Sequence, residues 1–240
     1  MRVAVVSDIH GNLHALEAVL EAIDRDAPDE IWCLGDLVGY GPRPNRCCAV
    51  VVERADVCLI GNHDLAALGR LDLEIFSPEA AVSARWTADV LEPEARALLE
   101  AGEPQGEREG VGLFHASPRD PVWEYVLSPG IAYAGLAAAP QELVLVGHSH
   151  VALHFRLSTT SLATAEAGTV VELAGDRWLL NPGSVGQPRD GDPRAAWLLL
   201  DLEARSAAFR REEYDVAATQ AEIRDRGLPE ALAARLEHGV

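Results

Sequence analysis

Five apolar runs in this chain each end in oxygen or imidazole donors. Val3-Ala4-Val5-Val6 leads through Ser7 into Asp8-Ile9-His10, and Glu30–Leu34 into Gly35-Asp36. Val57–Ile60 leads into Gly61-Asn62-His63-Asp64, Val111–Phe114 into His115, and Leu143–Val146 into Gly147-His148-Ser149-His150. Donors at strand ends meet only in a fold that brings those ends to one edge. Parallel strands joined by right-handed crossovers do so, and open α/β sheets bind ligands at that edge. Imidazoles and carboxylates gathered there point to a bound metal pair, and a metal pair points to hydrolysis of a phosphate ester.

The segments between the runs fit that scheme. Asn12 is expected to cap a helix reaching about Asp24, with Leu13, Leu16, Leu20 and Ile23 on one face. Gly39-Tyr40-Gly41-Pro42-Arg43-Pro44 reads as a loop, and a helix follows over about Asn45–Arg54. Arg2–Arg54 and the Val57–Ile60 run thus give a β-α-β-α-β start. Residues from about 65 to 110 are poor in β-branched side chains and read as a helical insertion, with two helices in Pro78–Glu100 broken at Pro93.

Beyond Gly147 the pattern is mostly β. Ala152–Leu157, Thr169–Leu173 and Trp178–Leu180 read as short strands, and Gly175-Asp176 as a tight turn. A Gly/Pro-rich loop over Asn181–Arg194 precedes a hairpin of Ala195–Asp201 and Ala207–Arg211. The tail, about Val216–His238, reads as one amphipathic helix. With 240 residues and no internal repeat or linker, the chain is expected to be one domain, 1–240.

The net charge is −18, and all 20 basic residues are Arg. Such acidity argues against a general nucleic-acid or membrane-surface binder. It leaves room for an anionic substrate, because divalent cations reverse the local field in a site. No apolar run is long enough to span a bilayer. The first apolar stretch breaks at Ser7 and Asp8, so no signal peptide is expected. Cys33, Cys47, Cys48 and Cys58 form no C-x-x-C pair. They read as reduced thiols of a cytoplasmic protein rather than a zinc site.

Asp8 and His10 stand two apart, as do His148 and His150, so a turn after each strand can aim both side chains into one cleft. Asp36 and Asn62 each follow a glycine, which is expected to let the backbone turn sharply. Mixed Asp, Asn and His ligation suits Mn, Fe, Zn, Co or Ni rather than Ca. Taken singly, each group also fits a turn, a cap or a structural histidine; all five in this order do not.

The ordered set Asp-x-His, Gly-Asp, Gly-Asn-His-Asp, His and Gly-His-x-His resembles the calcineurin-like metallophosphoesterase superfamily, over Val3 to about Asp201. The resemblance implies an α/β fold of two facing mixed sheets, a β-sandwich flanked by helices, with the metals at one edge. It implies two divalent cations, Mn first, with Fe, Zn, Co, Ni or Mg as alternatives. One would be held by Asp8, His10, Asp36 and His150, the other by Asp36, Asn62, His115 and His148. Asp36 would bridge, and a hydroxide bridging the pair would attack phosphorus. His63 would donate a proton to the leaving oxygen or orient phosphate, together with Asn62. Asp64 either holds that imidazole or caps the next helix.

Members of the superfamily that act on phosphoproteins or symmetrical diadenosine tetraphosphate carry Asp-Arg-Gly after the bridging Asp. Here Tyr40 stands near the place of that Arg, as a candidate substrate contact. Arg43 could substitute for it, or be a solvated loop residue. Arg119, four residues after His115, either grips phosphate bidentately or pairs with a neighbouring acid. Arg189 and Arg194 are weaker candidates, and Asn181 and Ser184 are expected to support the ligands. Trp123 or Tyr125 could stack on a nucleobase or pack in the core. His14 and His154 read as structural or surface residues.

The expected function is hydrolysis of a small phosphodiester or phosphomonoester, with nucleotides included. Diadenosine polyphosphate hydrolysis is the alternative, followed by protein phosphatase activity and by a non-catalytic metal-binding scaffold. The expected partner is a small-molecule phosphoester, without bulk nucleic-acid binding or membrane attachment; a homo-oligomer stays open.

Overall fold

The structure, a computed structural model, describes residues 1–240. The first half contains strands β1 (Arg2–Val6), β2 (Glu30–Cys33), β3 (Val57–Cys58), β4 (Gln105–Arg108) and β5 (Val111–Phe114). The second half contains β6 (Leu143–Leu145), β7 (Ala152–Arg156), β8 (Ser161–Thr164), β9 (Val170–Glu172), β10 (Trp178–Pro182), β11 (Ala195–Asp201) and β12 (Ser206–Glu212). Helices are α1 (Leu13–Asp26), α2 (Pro44–Arg54), α3 (Asn62–Ala67), α4 (Pro78–Val90), α5 (Pro93–Ala101), α6 (Pro129–Ala138), α7 (Val216–Asp225) and α8 (Glu230–Ala234).

The strands form two six-stranded sheets, ordered β3-β2-β1-β11-β12-β9 and β4-β5-β6-β10-β7-β8. Within the first, β1, β2 and β3 are parallel. Within the second, β5, β6 and β10 are parallel. The other pairings are antiparallel, so both sheets are mixed, as the resemblance implied.

Period-two alternation sorts the core into layers. In β1, Val3 and Val5 face the second sheet and meet Trp32, Val111, Leu113, Leu145 and Leu180. Ala4 and Val6 face the other way, against Leu13, Leu16, Val19 and Ile23 of α1. On the far face of the second sheet, Val144, Phe155 and Leu179 pack on Ala132 and Leu136 of α6. The order is helix, sheet, sheet, helix. Each large side chain fully buried there contributes about 1.5–3 kcal/mol relative to exposure.

Helix α1 starts where expected: the Asn12 side chain accepts from the Ala15 N–H at 3.2 Å. Helices α4 and α5 break at Pro93 as expected. The stretch read as wholly helical closes instead with β4, which pairs with β5 at the sheet edge. Its residues are all exposed, so no apolar alternation announced it. Strand β8 escaped for the same reason. Helix α6 went unread, although Ser128 caps it with Pro129 at its first position. The tail is not one helix: α7 stops at Gly227 in the left-handed region, Pro229 follows, and α8 restarts the chain. No helix is long and apolar enough to cross a membrane.

Candidate metal centre

Strands β1, β2, β3, β5 and β6 deliver their C-terminal ends to one edge of the sandwich, three from one sheet and two from the other. The loops there are locked to one another. Asp8 N–H donates to Gly35 O at 3.0 Å, His10 N–H to Asp36 O at 2.9 Å, and Gly147 N–H to His115 O at 2.7 Å. The chain has ten non-glycine residues at positive φ, and six of them are here: Asp8, His10, Asp36, Tyr40, His148 and His150. A left-handed residue other than glycine costs on the order of 1–3 kcal/mol, and such strain persists where the surroundings over-determine it. It aims the side chains inward.

The two glycines before the donors differ. Gly35 has φ +98, the sharp turn expected of it. Gly61 does not turn; its backbone is extended at φ −115. Glycine is needed at this position for room, since a Cβ would stand 2.1 Å from Asp36 Oδ1 and 2.4 Å from His115 Cε1.

What converges is a box of lone pairs. His10 Nδ1 points at Val38 O at 3.0 Å, His115 Nδ1 at Leu34 O at 3.0 Å and His150 Nδ1 at Gln187 O at 2.6 Å. A carbonyl only accepts, so each ring carries its proton on Nδ1 and turns a bare Nε2 inward. Nε2 of His10 and Nε2 of His150 then face each other at 3.0 Å. The Asn62 oxygen lies 3.2 Å from His115 Nε2. Asp8 Oδ1, Asp36 Oδ2 and His148 Nε2 are buried without any hydrogen-bond partner. Acceptors facing acceptors in a dry site are stabilised only by a cation.

The donors fall into two groups with one shared member. Single atoms of Asp8, His10, Asp36 and His150 lie within 4.8 Å of one another, and so do atoms of Asp36, His115 and His148. Asp36 Oδ2 is 3.6 Å from His10 Nε2 and 3.5 Å from His115 Nε2, between the groups. The donor set fits two divalent cations of the borderline class.

The electrostatics agree. Burial pushes the Asp8 carboxyl up to about 7, and the neighbouring Asp36 charge adds to this. Burial, then Asp64, raises Asp36 as well. Burial drives His10, His148 and His150 well below the usual imidazole range. The imidazoles are therefore neutral, as ligands must be. His63 is pushed down to about 3 by burial and by the Arg189 charge.

The remaining sequence candidates sort clearly. Tyr40 is buried with its ring 4.7 Å from that of His10 and 4.3 Å from that of His63. Arg189 lies over Tyr40, its Cζ 5.7 Å from the ring centre. Asn181 donates to Gly147 O at 2.7 Å, and Ser184 donates to Asp8 O at 2.8 Å, so both brace the loops that carry His148 and Asp8. Asp64 does not hold His63. Its carboxylate accepts the N–H groups of Leu37, Val38 and Gly61 at 2.9–3.2 Å. Arg119 pairs with Glu124, the ion-pair alternative. Arg43 pairs with Glu222 and Arg194 with Asp192. His14 approaches Glu222 at 3.2 Å, and His154 lies outside the site on β7.

The aromatic candidates divide. Tyr125 stacks on His148, with ring centres 4.1 Å apart and planes 10° from parallel. It is 44% exposed. Trp123 packs on Phe76, which in turn abuts His63. Phe76, Gln187 and Arg235 were not foreseen. Phe76 and Arg235 sit far from any motif, and only the position of Gln187 two residues before Arg189 could have drawn attention to it.

Known proteins resemble this chain. The calcineurin-like phosphoesterase superfamily domain matches residues 1–205. An uncharacterized protein of Methanocaldococcus jannaschii, MJ0912, is 35% identical over 239 residues, 98% of this chain and 96% of that protein. The phosphodiesterase YfcE of Escherichia coli is 27% identical over 224 residues, 90% of this chain and 96% of that one. The crystal structure of a metallophosphoesterase from Sphaerobacter thermophilus superposes with a TM-score of 0.92 at 42% identity, covering 100% of this chain and 99% of the other.

Proposed function

The chain belongs to the calcineurin-like phosphoesterase superfamily, and on that premise we propose that it hydrolyses a small phosphodiester or phosphomonoester with two divalent cations, Mn first among them. The observation that carries this reading is the box of buried, unpartnered donors with Asp36 at its centre. In it, Asp8, His10, Asp36 and His150 would hold one cation, and Asp36, Asn62, His115 and His148 the other. When bound, the pair would neutralise charge on a phosphate and make water a nucleophile at neutral pH.

The residues around the box carry the rest. Asn62 and His63 begin α3, so one helix start presents a ligand and a substrate contact together. His63 is buried, and its Nδ1 has no partner. As a neutral ring it offers an N–H to a phosphate oxygen or to the leaving group. The edges of Tyr40 and Phe76 hold its plane. Arg189 supplies a fixed positive charge on the same side, beside Tyr40. Arg119 is tied to Glu124 and serves the reading less well. Four free thiols suit a cytoplasmic setting.

YfcE is named a phosphodiesterase, whereas His63 here keeps monoesters within reach by assisting a poor leaving group. Side-by-side assays of p-nitrophenyl phosphate and bis-p-nitrophenyl phosphate with added Mn test this. Turnover of at least one supports the reading, and its ratio to the other selects the class. No turnover of either or of a panel of nucleotides, with metal bound, contradicts it.

A further inference from the structure

Two arginines at the rim of the cleft have no acid to answer them. In a chain with 38 acidic residues against 20 arginines, unpaired neighbouring guanidiniums need a reason. Arg189 and Arg235 have no carboxylate within 4.0 Å, and both donate to the same atom, Gln187 Oε1, at 2.8 and 3.2 Å. Arg189 Nε is buried with no partner at all. Burial, and then the charge of Arg189, lowers the pKa of Arg235. Glu79 acts on Arg235 only from a distance.

The pair is wired to the metal box. Gln187 O receives His150 Nδ1 at 2.6 Å, and the Arg189 N–H donates to His150 O at 3.1 Å. The Tyr40 hydroxyl accepts from Arg189 Nη2 at 3.3 Å, and the Tyr40 ring touches that of His10. Two cations bound in the box would repel the two guanidiniums beside it unless an anion lay between. One phosphate facing the box leaves the outer guanidinium unanswered. Arg235 comes from the turn after α8, so the C-terminal tail reaches Gln187, whose carbonyl holds His150.

We infer that Arg189 and Arg235 form an anion subsite that takes a second phosphate group of the substrate, beside the phosphate that reacts. The substrates so selected carry two phosphates within reach of each other, as nucleoside diphosphates and dinucleoside polyphosphates do. The inference rests on the proposed hydrolase reading for its biological meaning, but the subsite itself does not depend on it. Guanidinium pairs bind phosphate through bidentate, charge-assisted hydrogen bonds.

The test is isothermal titration calorimetry of inorganic pyrophosphate and orthophosphate against chelator-treated, full-length protein. It compares wild type, Arg235→Gln, Arg235→Lys and the control Arg25→Gln at the far end of α1. Pyrophosphate is expected to bind more tightly than orthophosphate. Arg235→Gln weakens both anions by about tenfold, since without metal the guanidinium pair is what attracts either of them, and Arg235→Lys recovers part of the loss. The control leaves both constants unchanged. Equal binding by wild type and Arg235→Gln, or a preference for orthophosphate, overturns the inference.

A second arm uses Mn-loaded protein and inhibition of p-nitrophenyl phosphate turnover by ADP and AMP. ADP is expected to be the stronger inhibitor, and Arg235→Gln to remove most of the difference. An unchanged difference overturns the inference while leaving the hydrolase reading intact. Absence of turnover counts against the hydrolase reading, and the calorimetry then decides the subsite alone.

Discussion

His10 Nε2 and His150 Nε2 face each other at 3.0 Å, and neither carries a proton, because both rings give their Nδ1 hydrogens to backbone carbonyls. Lone pair meets lone pair in a buried site, so the fold carries an internal repulsion that a cation removes. Divalent metal is therefore expected to stabilise the protein. At a concentration about a hundred times its Kd, Mn adds about 2.7 kcal/mol per site. For a chain of this size that corresponds to a Tm rise of about 5–10 °C in a thermal melt. His10→Ala should abolish much of the rise and reduce bound Mn from two equivalents toward one. A melt insensitive to Mn speaks against the pair.

Metal binding should release protons, and the release should fade as pH rises. The Asp8 carboxyl sits at about 7 in the metal-free site because burial disfavours its charge. Below that value it holds a proton that must leave before it can ligate, whereas the neutral imidazoles have none to give. Asp36 is raised as well and adds its own proton to the release, so apparent affinity should climb more steeply with pH below about 7, where Asp8 also gives up a proton, than above it. Calorimetry in buffers of different ionisation enthalpy at about pH 6 and about pH 8.5 reads the proton count directly. Equal release at both pH values contradicts the assignment.

Gly61→Ala is expected to fold and to fail. The added Cβ would overlap Asp36 Oδ1 at 2.1 Å, and neither Asp36 nor the His115 ring has room to retreat. Displacing the shared carboxylate should weaken both cation sites by 100-fold or more, in line with the precision such sites need. Circular dichroism should stay native while bound metal falls; retained stoichiometry would show that Asp36 does not bridge.

His63→Ala separates its two candidate roles. Its low pKa, set by burial and by Arg189, makes the ring a hydrogen-bond donor rather than a ready proton source in the metal-free protein. Loss of this contact should slow an alkyl phosphate monoester by about 10²-fold and bis-p-nitrophenyl phosphate by less than about tenfold, since nitrophenolate leaves unaided. Equal losses on both would assign His63 to orienting phosphate alone.

The donor positions were legible because each follows a strand in a fixed order, and strand ends in parallel sheets share an edge. What the sequence hid is what tertiary contact decides. Asp64 looked equally suited to holding His63 and to capping, and three backbone N–H groups settled it as an anchor. The sequence leaves Arg119 open to phosphate or to a neighbouring acid, and Arg43 to phosphate or to solvent; Glu124 and Glu222 decide both. Arg235 carries no local signal; its role arises from a tail that Gly227 and Pro229 fold back toward Tyr40. Strand β4 is a polar edge and β8 a short, mostly exposed one, and pairing rather than pattern makes both strands.

The most direct measurement is the metal content and phosphoesterase activity of one preparation, before chelation, after chelation and after Mn is restored, for wild type and Asp36→Asn. The account predicts two Mn per chain, activity that vanishes with chelator and returns with metal, and an Asp36→Asn protein that folds but holds less than one Mn and is inactive. Full activity without metal, or an Asp36→Asn protein with two Mn and unchanged turnover, would contradict it.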